Sequence, residues 1–304
     1  MPDTSKTDRA QYHREATMDS TQISASHAEF LTSPAKKITV NRINFTAANL
    51  PEYEGLYAVV INGVLTTNEC NALIRGAEAS SVRGWEQATI NIGEGQERLL
   101  TEERDCSRII WDSPQIAERI WDRIEHIAQV REIVRLENAP LIVGQEPTKL
   151  GEVWKLSRPN EELRFLKYTP GQYFRPHCDG SYAKHYISDD EGRCEERAYL
   201  TLHLYLNDAS VTDLGQSGTS HTQGASYRDV PLRDGSTRFY SPVCDLGRYV
   251  DVEPKAGRIL LFQHRDLVHS GEEVVQGEKY TIRADLMYYL ESSESGQRSF
   301  MPTL

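Results

Sequence analysis

The segment from Lys279 to Tyr289 divides by parity: Tyr280, Ile282, Ala284, Leu286 and Tyr288 share one face, and Lys279, Thr281, Arg283 and Asp285 share the other. A period of two belongs to an extended strand, in which successive side chains point to opposite sides. The segment from Ala198 to Leu206 splits in the same way, with Ala198, Leu200, Leu202, Leu204 and Leu206 opposed by Tyr199, Thr201, His203 and Tyr205. Two long strands of this kind commit the chain to a mainly β architecture. Their polar sides have two readings. They face water, as in an open antiparallel sheet, or they line a barrel that holds a small anion and a metal. Periodicity alone does not separate the two.

A second pattern bears on that choice. His177-Cys178-Asp179 is answered far downstream by His269, in the run Leu267-Val268-His269-Ser270-Gly271. Two imidazoles and one carboxylate are the ligand set of the facial triad, which takes one face of an Fe(II) octahedron and leaves the other open. A bare His-x-Asp is weak evidence, so its surroundings must carry the case. Phe165-Leu166-Lys167-Tyr168 reads as a strand and Pro170-Gly171 as the turn after it. His177 and Asp179 therefore follow a strand and its turn, two apart on extended backbone, with Cys178 pointing the other way. Arg258-Ile259-Leu260-Leu261-Phe262 reads as a buried strand whose end delivers the third imidazole. His264 competes with His269 for that place, and the spacing to the next basic residues favours His269.

Taken with Phe174-Arg175-Pro176 before His177, with Leu202-His203-Leu204-Tyr205-Leu206-Asn207-Asp208, and with Gly277-Glu278-Lys279-Tyr280 after His269, these pieces form one ordered set. From about Glu162 to Tyr289 the chain resembles the Fe(II)/2-oxoglutarate-dependent dioxygenases of the prolyl 4-hydroxylase-like branch, and in particular fungal members of it. The resemblance implies a double-stranded β-helix, a cupin-like jelly-roll barrel with flanking α-helices. It implies Fe(II) on His177, Asp179 and His269, with 2-oxoglutarate and O2 as cosubstrates. Lys279 would pair with the distal carboxylate of 2-oxoglutarate and Tyr168 would hydrogen-bond it. Tyr205 and Thr201 are softer assignments near the cosubstrate, and Arg283 would touch the cosubstrate or a substrate acid, or else pair with Asp285. One departure is visible: the family's Gly-Gly-x-Thr-x-Phe segment is replaced by Asp234-Gly235-Ser236-Thr237-Arg238-Phe239, which puts the local turn in question.

The implied activity is hydroxylation or desaturation of a small molecule, in fungal secondary metabolism, with release of succinate and CO2. The alternatives are a hydroxylase of peptidyl proline or another protein side chain, and a metal-binding jelly roll that senses without turnover.

Composition bounds the rest. With 304 residues, 38% hydrophobic and 26% charged, one substantial core is expected. The first 35 residues are polar and aperiodic and are expected to be a disordered tail, with 36–304 as a single catalytic domain. Within that domain we expect a helical buttress over about 60–135, the barrel over about 150–290, and a flap over about 208–233. The tail fits neither a secretory signal nor a transit peptide, and no apolar run reaches membrane-spanning length. Five cysteines without Cys-x-x-Cys spacing suit a reducing cytoplasm. A net charge of −11 disfavours a nucleic-acid partner. Oligomeric state is not legible.

Thr66-Thr67-Asn68-Glu69 predicts a helix from about Thr67 through a capping box. Ser113-Pro114 predicts a second, with the stripe Ile116, Ile120, Ile124 and Ile127 turned to the core. Trp85, Trp111, Trp121 and Trp154 are expected to be packing residues, with Trp85 and Trp154 the two placed to edge a pocket. Of the remaining histidines, His203 lies on the candidate interior face, within reach of substrate, His185 follows the Gly180-Ser181-Tyr182 loop, where it would meet substrate at the mouth, and His221 reads as an ordinary hydrogen-bonded or surface residue.

Overall fold

The computed structural model describes residues 31, 37–93, 96–188, 192–210, 230–243, 245 and 247–291. The expected tail (apart from residue 31), most of the expected flap and His221 lie outside the described residues. Chain contacts divide at Pro34, and residues 35–304 form one compact unit.

Two facing sheets build that unit. The strands that make the barrel, numbered in chain order, are β1 (Ala58–Asn62), β2 (Arg104–Asp105), β3 (Ser107–Asp112), β4 (Glu162–Tyr168), β5 (Tyr173–His177), β6 (Gly192–Tyr205), β7 (Thr237–Tyr240), β8 (Tyr249–Val252), β9 (Ile259–Gln263), β10 (His269–Gly271) and β11 (Lys279–Leu290). In the larger sheet the order runs β1, β9, β6, β11, β4, β3, and in the smaller one β8, β7, β10, β5, β2. All of these pairings are antiparallel. This is the double-stranded β-helix that the resemblance implies.

Register decides what faces what. Tyr168 pairs with Lys279, Leu166 with Thr281 and Arg164 with Arg283 across β4 and β11. On the other edge of β11, Thr281 pairs with Tyr205, Arg283 with His203 and Asp285 with Thr201. One face of the central strands therefore carries Lys279, Thr281, Arg283 and Asp285 beside Tyr205, His203 and Thr201. Lys279, Thr281, Asp285 and Thr201 are all buried, so the polar faces look inward and the solvent-facing reading is excluded. The opposite face is buried too: Ile282, Ala284, Leu286 and Tyr288 are at most 1% exposed. Helices and loops outside the sheet remove that side from water.

The helices form for the reasons their ends give. Helix α1 (Thr67–Ser80) starts at Thr66, whose hydroxyl accepts from the Glu69 amide while the Glu69 carboxylate accepts from the Thr66 amide. The same carboxylate pairs with Arg123, 2.6 Å away, and Arg123 also donates to the Val64 carbonyl. The helix entry is thus tied to helix α2 (Pro114–Asp122), which has Ser113 as its N-cap and proline in its first turn. Ile116, Ile120, Ile124 and Ile127 are all buried, yet α2 stops at Asp122. Tight i to i+3 turns follow, with the Ile124 amide bonded to Trp121 O and the Ile127 amide to Ile124 O. An apolar stripe carried through such turns keeps its spacing, so periodicity does not mark the break.

The span expected as a helical buttress is mixed. Between its two helices it contributes β2 to the smaller sheet and β3 to the larger. Trp85 packs on Tyr280, on the outer face of β11, and Trp154 packs on Tyr199 at 2% exposure. Trp154 is thus a core residue, and Trp85 is half-buried. No helix among the described residues is long and apolar enough to cross a membrane.

Candidate active site

The ends of β5 and β10 place three chemistry-bearing side chains together. His177 closes β5 and His269 opens β10, and the two are direct partners in the antiparallel register. Their ring centroids are 4.4 Å apart. The third imidazole does not come off the end of β9 as expected; the chain crosses to the smaller sheet first, which brings His269 opposite His177. Asp179, two residues beyond β5, completes the group, with its carboxylate 3.7 Å from His177 Nε2 and 3.9 Å from His269 Nε2. One candidate ligand atom from each of the three lies within 4.8 Å of the others. On one face of an octahedron with bonds of about 2.1 Å, donor atoms stand about 3 Å apart. Small side-chain rotations close that difference.

Each donor is already oriented. His177 Nδ1 bonds the Arg175 carbonyl at 2.7 Å and His269 Nδ1 the Leu267 carbonyl at 3.2 Å. A nitrogen that bonds a carbonyl carries the proton, which leaves both Nε2 atoms with free lone pairs facing Asp179. Phe174 stacks on His177 at 3.7 Å, and Phe262 meets His269 edge-on at 4.7 Å. Burial, then the neighbouring His177, lowers the His269 imidazole to about 3, so it is neutral and able to donate.

Asp179 is held from both sides. The Thr201 hydroxyl donates to Oδ2 at 2.5 Å, and Arg283 lies 3.2 Å from Oδ1. Burial works to raise this carboxyl; Arg283 and His177 override it and hold the group well below its ordinary value. The Thr201 oxygen is also 3.0 Å from His264 Nε2. A hydroxyl has one proton, and that of Thr201 goes to Asp179, so His264 must donate to Thr201 and is the Nε2–H tautomer. This places His264 behind the carboxylate, as a support and not a member of the triad. Arg283 is 3.1 Å from Asp285 as well, and Asp285 receives Arg164 at 2.9 Å. Of the readings open to Arg283 the pairing with Asp285 is present, and its contact with Asp179 is one the sequence did not suggest.

Further along the interior face lies Lys279, 1% exposed, its ammonium 5.0 Å from the centre of the Tyr168 ring. Among the described residues no acid forms an ion pair with it, and burial lowers it to about 8. An ammonium buried without a counter-ion is costly, and such a lining suits an anion. His203 Nε2 and Thr281 Oγ1, on the same face, are buried without hydrogen-bond partners. Orphaned polar atoms beside an unpaired cation fit a polar guest such as a dicarboxylate. Tyr205 differs: its hydroxyl donates to Thr237 at 2.6 Å, and the residue is fully enclosed with Phe239 and Phe262. His185 is exposed.

The residues that sequence reasoning passed over are Arg104 on β2, Phe174, and Asp285 as the shared counter-ion of two arginines. Arg104 sits in a stretch read as scaffold, and only the pairing of β2 with β5 reveals its place.

Residues 163–297 match the family described as the 2OG-Fe(II) oxygenase superfamily. The match spans 135 of the 304 residues. The enzyme is accordingly a 2-oxoglutarate-dependent dioxygenase, with Fe(II) as its metal and 2-oxoglutarate as cosubstrate. The triad's donor set suits that metal, and the unpaired Lys279 suits that acid. No curated protein matches the oxygenase significantly. Among solved structures it is similar to a prolyl-4-hydroxylase of Pseudomonas putida, at 19% identity and a TM-score of 0.44 over 80% of this chain and 98% of that one. It is also similar to the viral collagen prolyl hydroxylase of Paramecium Bursaria Chlorella virus-1, at 20% identity and a TM-score of 0.40 over 77% and 97% of the two chains. A third likeness is to HygX of Streptomyces hygroscopicus, solved with nickel and 2-oxoglutarate, at 14% identity and a TM-score of 0.37 over 79% and 85%.

Proposed function

We propose that His177, Asp179 and His269 hold the Fe(II) of this oxygenase, and that Lys279 and Tyr168 receive the distal carboxylate of 2-oxoglutarate. The observation that carries this reading is the convergence of the three donor atoms within 4.8 Å of one another. Bound there, Fe(II) supplies oxygen activation coupled to decarboxylation of 2-oxoglutarate and oxidation of a substrate C–H bond. The protein's own part is positioning and exclusion of water. The two carbonyl-bound imidazoles present Nε2. Thr201 and Arg283 fix the carboxylate, Lys279 anchors the acid, and Phe174, Phe239 and Phe262 wall the imidazoles with apolar surface.

The substrate in this reading is a small molecule, hydroxylated or desaturated within fungal secondary metabolism. The support is the resemblance of the Glu162 to Tyr289 motifs to fungal members of the branch. A cytoplasmic location is part of the proposal, supported by Cys70, Cys106 and Cys178, which are free thiols in keeping with a reducing compartment.

The test is spectroscopic. Ferrous iron and 2-oxoglutarate added without oxygen are expected to give a visible charge-transfer band, absent in His177→Ala and Asp179→Ala. A wild-type protein that shows no band would reject the ligand assignment. A band without succinate release, even with cell extracts offered as substrate, would favour the sensor.

A further inference from the structure

Lys279 is not the only cation in the cavity without an acid. Arg104, on edge strand β2, is half-buried and pairs in register with Phe174. Its guanidinium lies 4.8 Å from the centre of the Phe174 ring, the ring that stacks on His177. Its hydrogen bonds reach no acid: Nε donates to Cys106 Sγ at 3.3 Å, Nη1 to the Thr89 carbonyl at 3.4 Å, and the guanidinium also bonds the Tyr168 phenol. Among the described residues it has no ion pair. A thiol, a carbonyl and a phenol satisfy its donors without giving it a carboxylate counter-ion.

Its neighbours locate it beside the cosubstrate pocket. A Cβ on Gly271 would stand 3.6 Å from Phe174 Cβ and 3.8 Å from the Tyr168 hydroxyl. Tyr168 in turn carries Lys279 over its ring. Burial raises the Tyr168 phenol, and the nearby Arg104 opposes that rise. The phenol is therefore flanked by two cations, Lys279 and Arg104, neither with an acid of its own among the described residues. Arg283, the third cation of the region, is already shared between Asp179 and Asp285.

We infer that Arg104 is a second cationic contact for the dicarboxylic cosubstrate, acting with Lys279 on either side of Tyr168. The inference rests on the proposed cosubstrate site and adds a residue to it. A planar guanidinium offers paired donors to a carboxylate, which a point-charge ammonium does not. The two together select a 2-oxo acid with a second carboxylate over one without.

Calorimetric titration of the full chain loaded with Mn(II), with 2-oxoglutarate and with the monocarboxylate 2-oxobutyrate, tests this. Arg104→Met is expected to raise the Kd for 2-oxoglutarate about tenfold or more and to leave 2-oxobutyrate within about twofold. Arg104→Lys should recover part of the loss. Equal weakening of both acids would mark a structural role only and overturn the inference. So would an Arg104→Met protein that binds 2-oxoglutarate as the wild type does while Lys279→Met does not. Were Lys279→Met also unchanged, the cosubstrate site itself would be misplaced, which is a separate result.

Discussion

Gly235 presses its backbone against Lys279: a Cβ built on the glycine would stand 3.2 Å from Lys279 Cδ and 3.0 Å from Val274 Cγ2. Gly235 also has φ +81, and Asp234 before it has φ +60. The acid that replaces the family's first glycine adopts the left-handed region that Asp tolerates, so the turn survives the departure. Gly235→Ala meets both penalties. It should lose about 1–3 kcal/mol of stability and displace the Lys279 stem. Urea unfolding and 2-oxoglutarate titration check the two effects, and a variant with native stability and affinity would contradict the contact.

Lys279 titrates in an accessible range. Burial lowers it from 10.5 to about 8, so between those values the unfolded chain binds more protons and ligand-free stability rises with pH. If Lys279 anchors the acid as proposed, affinity for 2-oxoglutarate runs the other way: it should fall as pH rises through about 8, with proton uptake on binding. Calorimetry at pH 8.5 in buffers of different ionisation enthalpy measures that uptake. Lys279→Met should lose the uptake while making the ligand-free protein more stable.

Asp285 neutralises Arg164 and Arg283 at once, at 2.9 and 3.1 Å. Asp285→Asn removes the shared counter-ion and should cost about 3–5 kcal/mol, read by urea unfolding of the metal-free protein. A cost below about 1 kcal/mol would mean that Asp179 alone compensates Arg283.

Thr201→Val keeps the shape of the side chain and removes the hydroxyl between His264 and Asp179. It should weaken Fe(II) binding by about 10 to 100-fold and destabilise the protein by about 1–3 kcal/mol through the orphaned His264 N–H. Metal titration under nitrogen reads the first effect and denaturation the second.

Much of this site was legible in the sequence because alternation is a local property. Lys279, Thr281, Arg283 and Asp285 announce one strand face by parity, and Thr201 and His203 another. What parity left open was the direction of those faces, which depends on whether a second sheet closes over them. The capping box at Thr66 was legible for the same reason, its partners being three residues apart. Arg104 was not, because it reaches the cavity through pairing with β5, whose nearest residue is about seventy positions away. The placement of His269 on the opposite sheet was hidden similarly: a strand end and the start of the next strand read alike when the crossing between them is short.

Strand β11 carries Lys279 and Arg283 on the same side, and it is hydrogen-bonded along both edges, to β4 and to β6. A ribbon clamped in this way does not stretch, so the stems of Lys279 and Arg283 leave the backbone at a fixed spacing of four residues, roughly 13 Å, and the ammonium and the carboxylate that Arg283 grips are held at a set separation. Oxo acids one methylene shorter or longer than the five-carbon acid should fit that separation poorly, whatever substrate the enzyme oxidises.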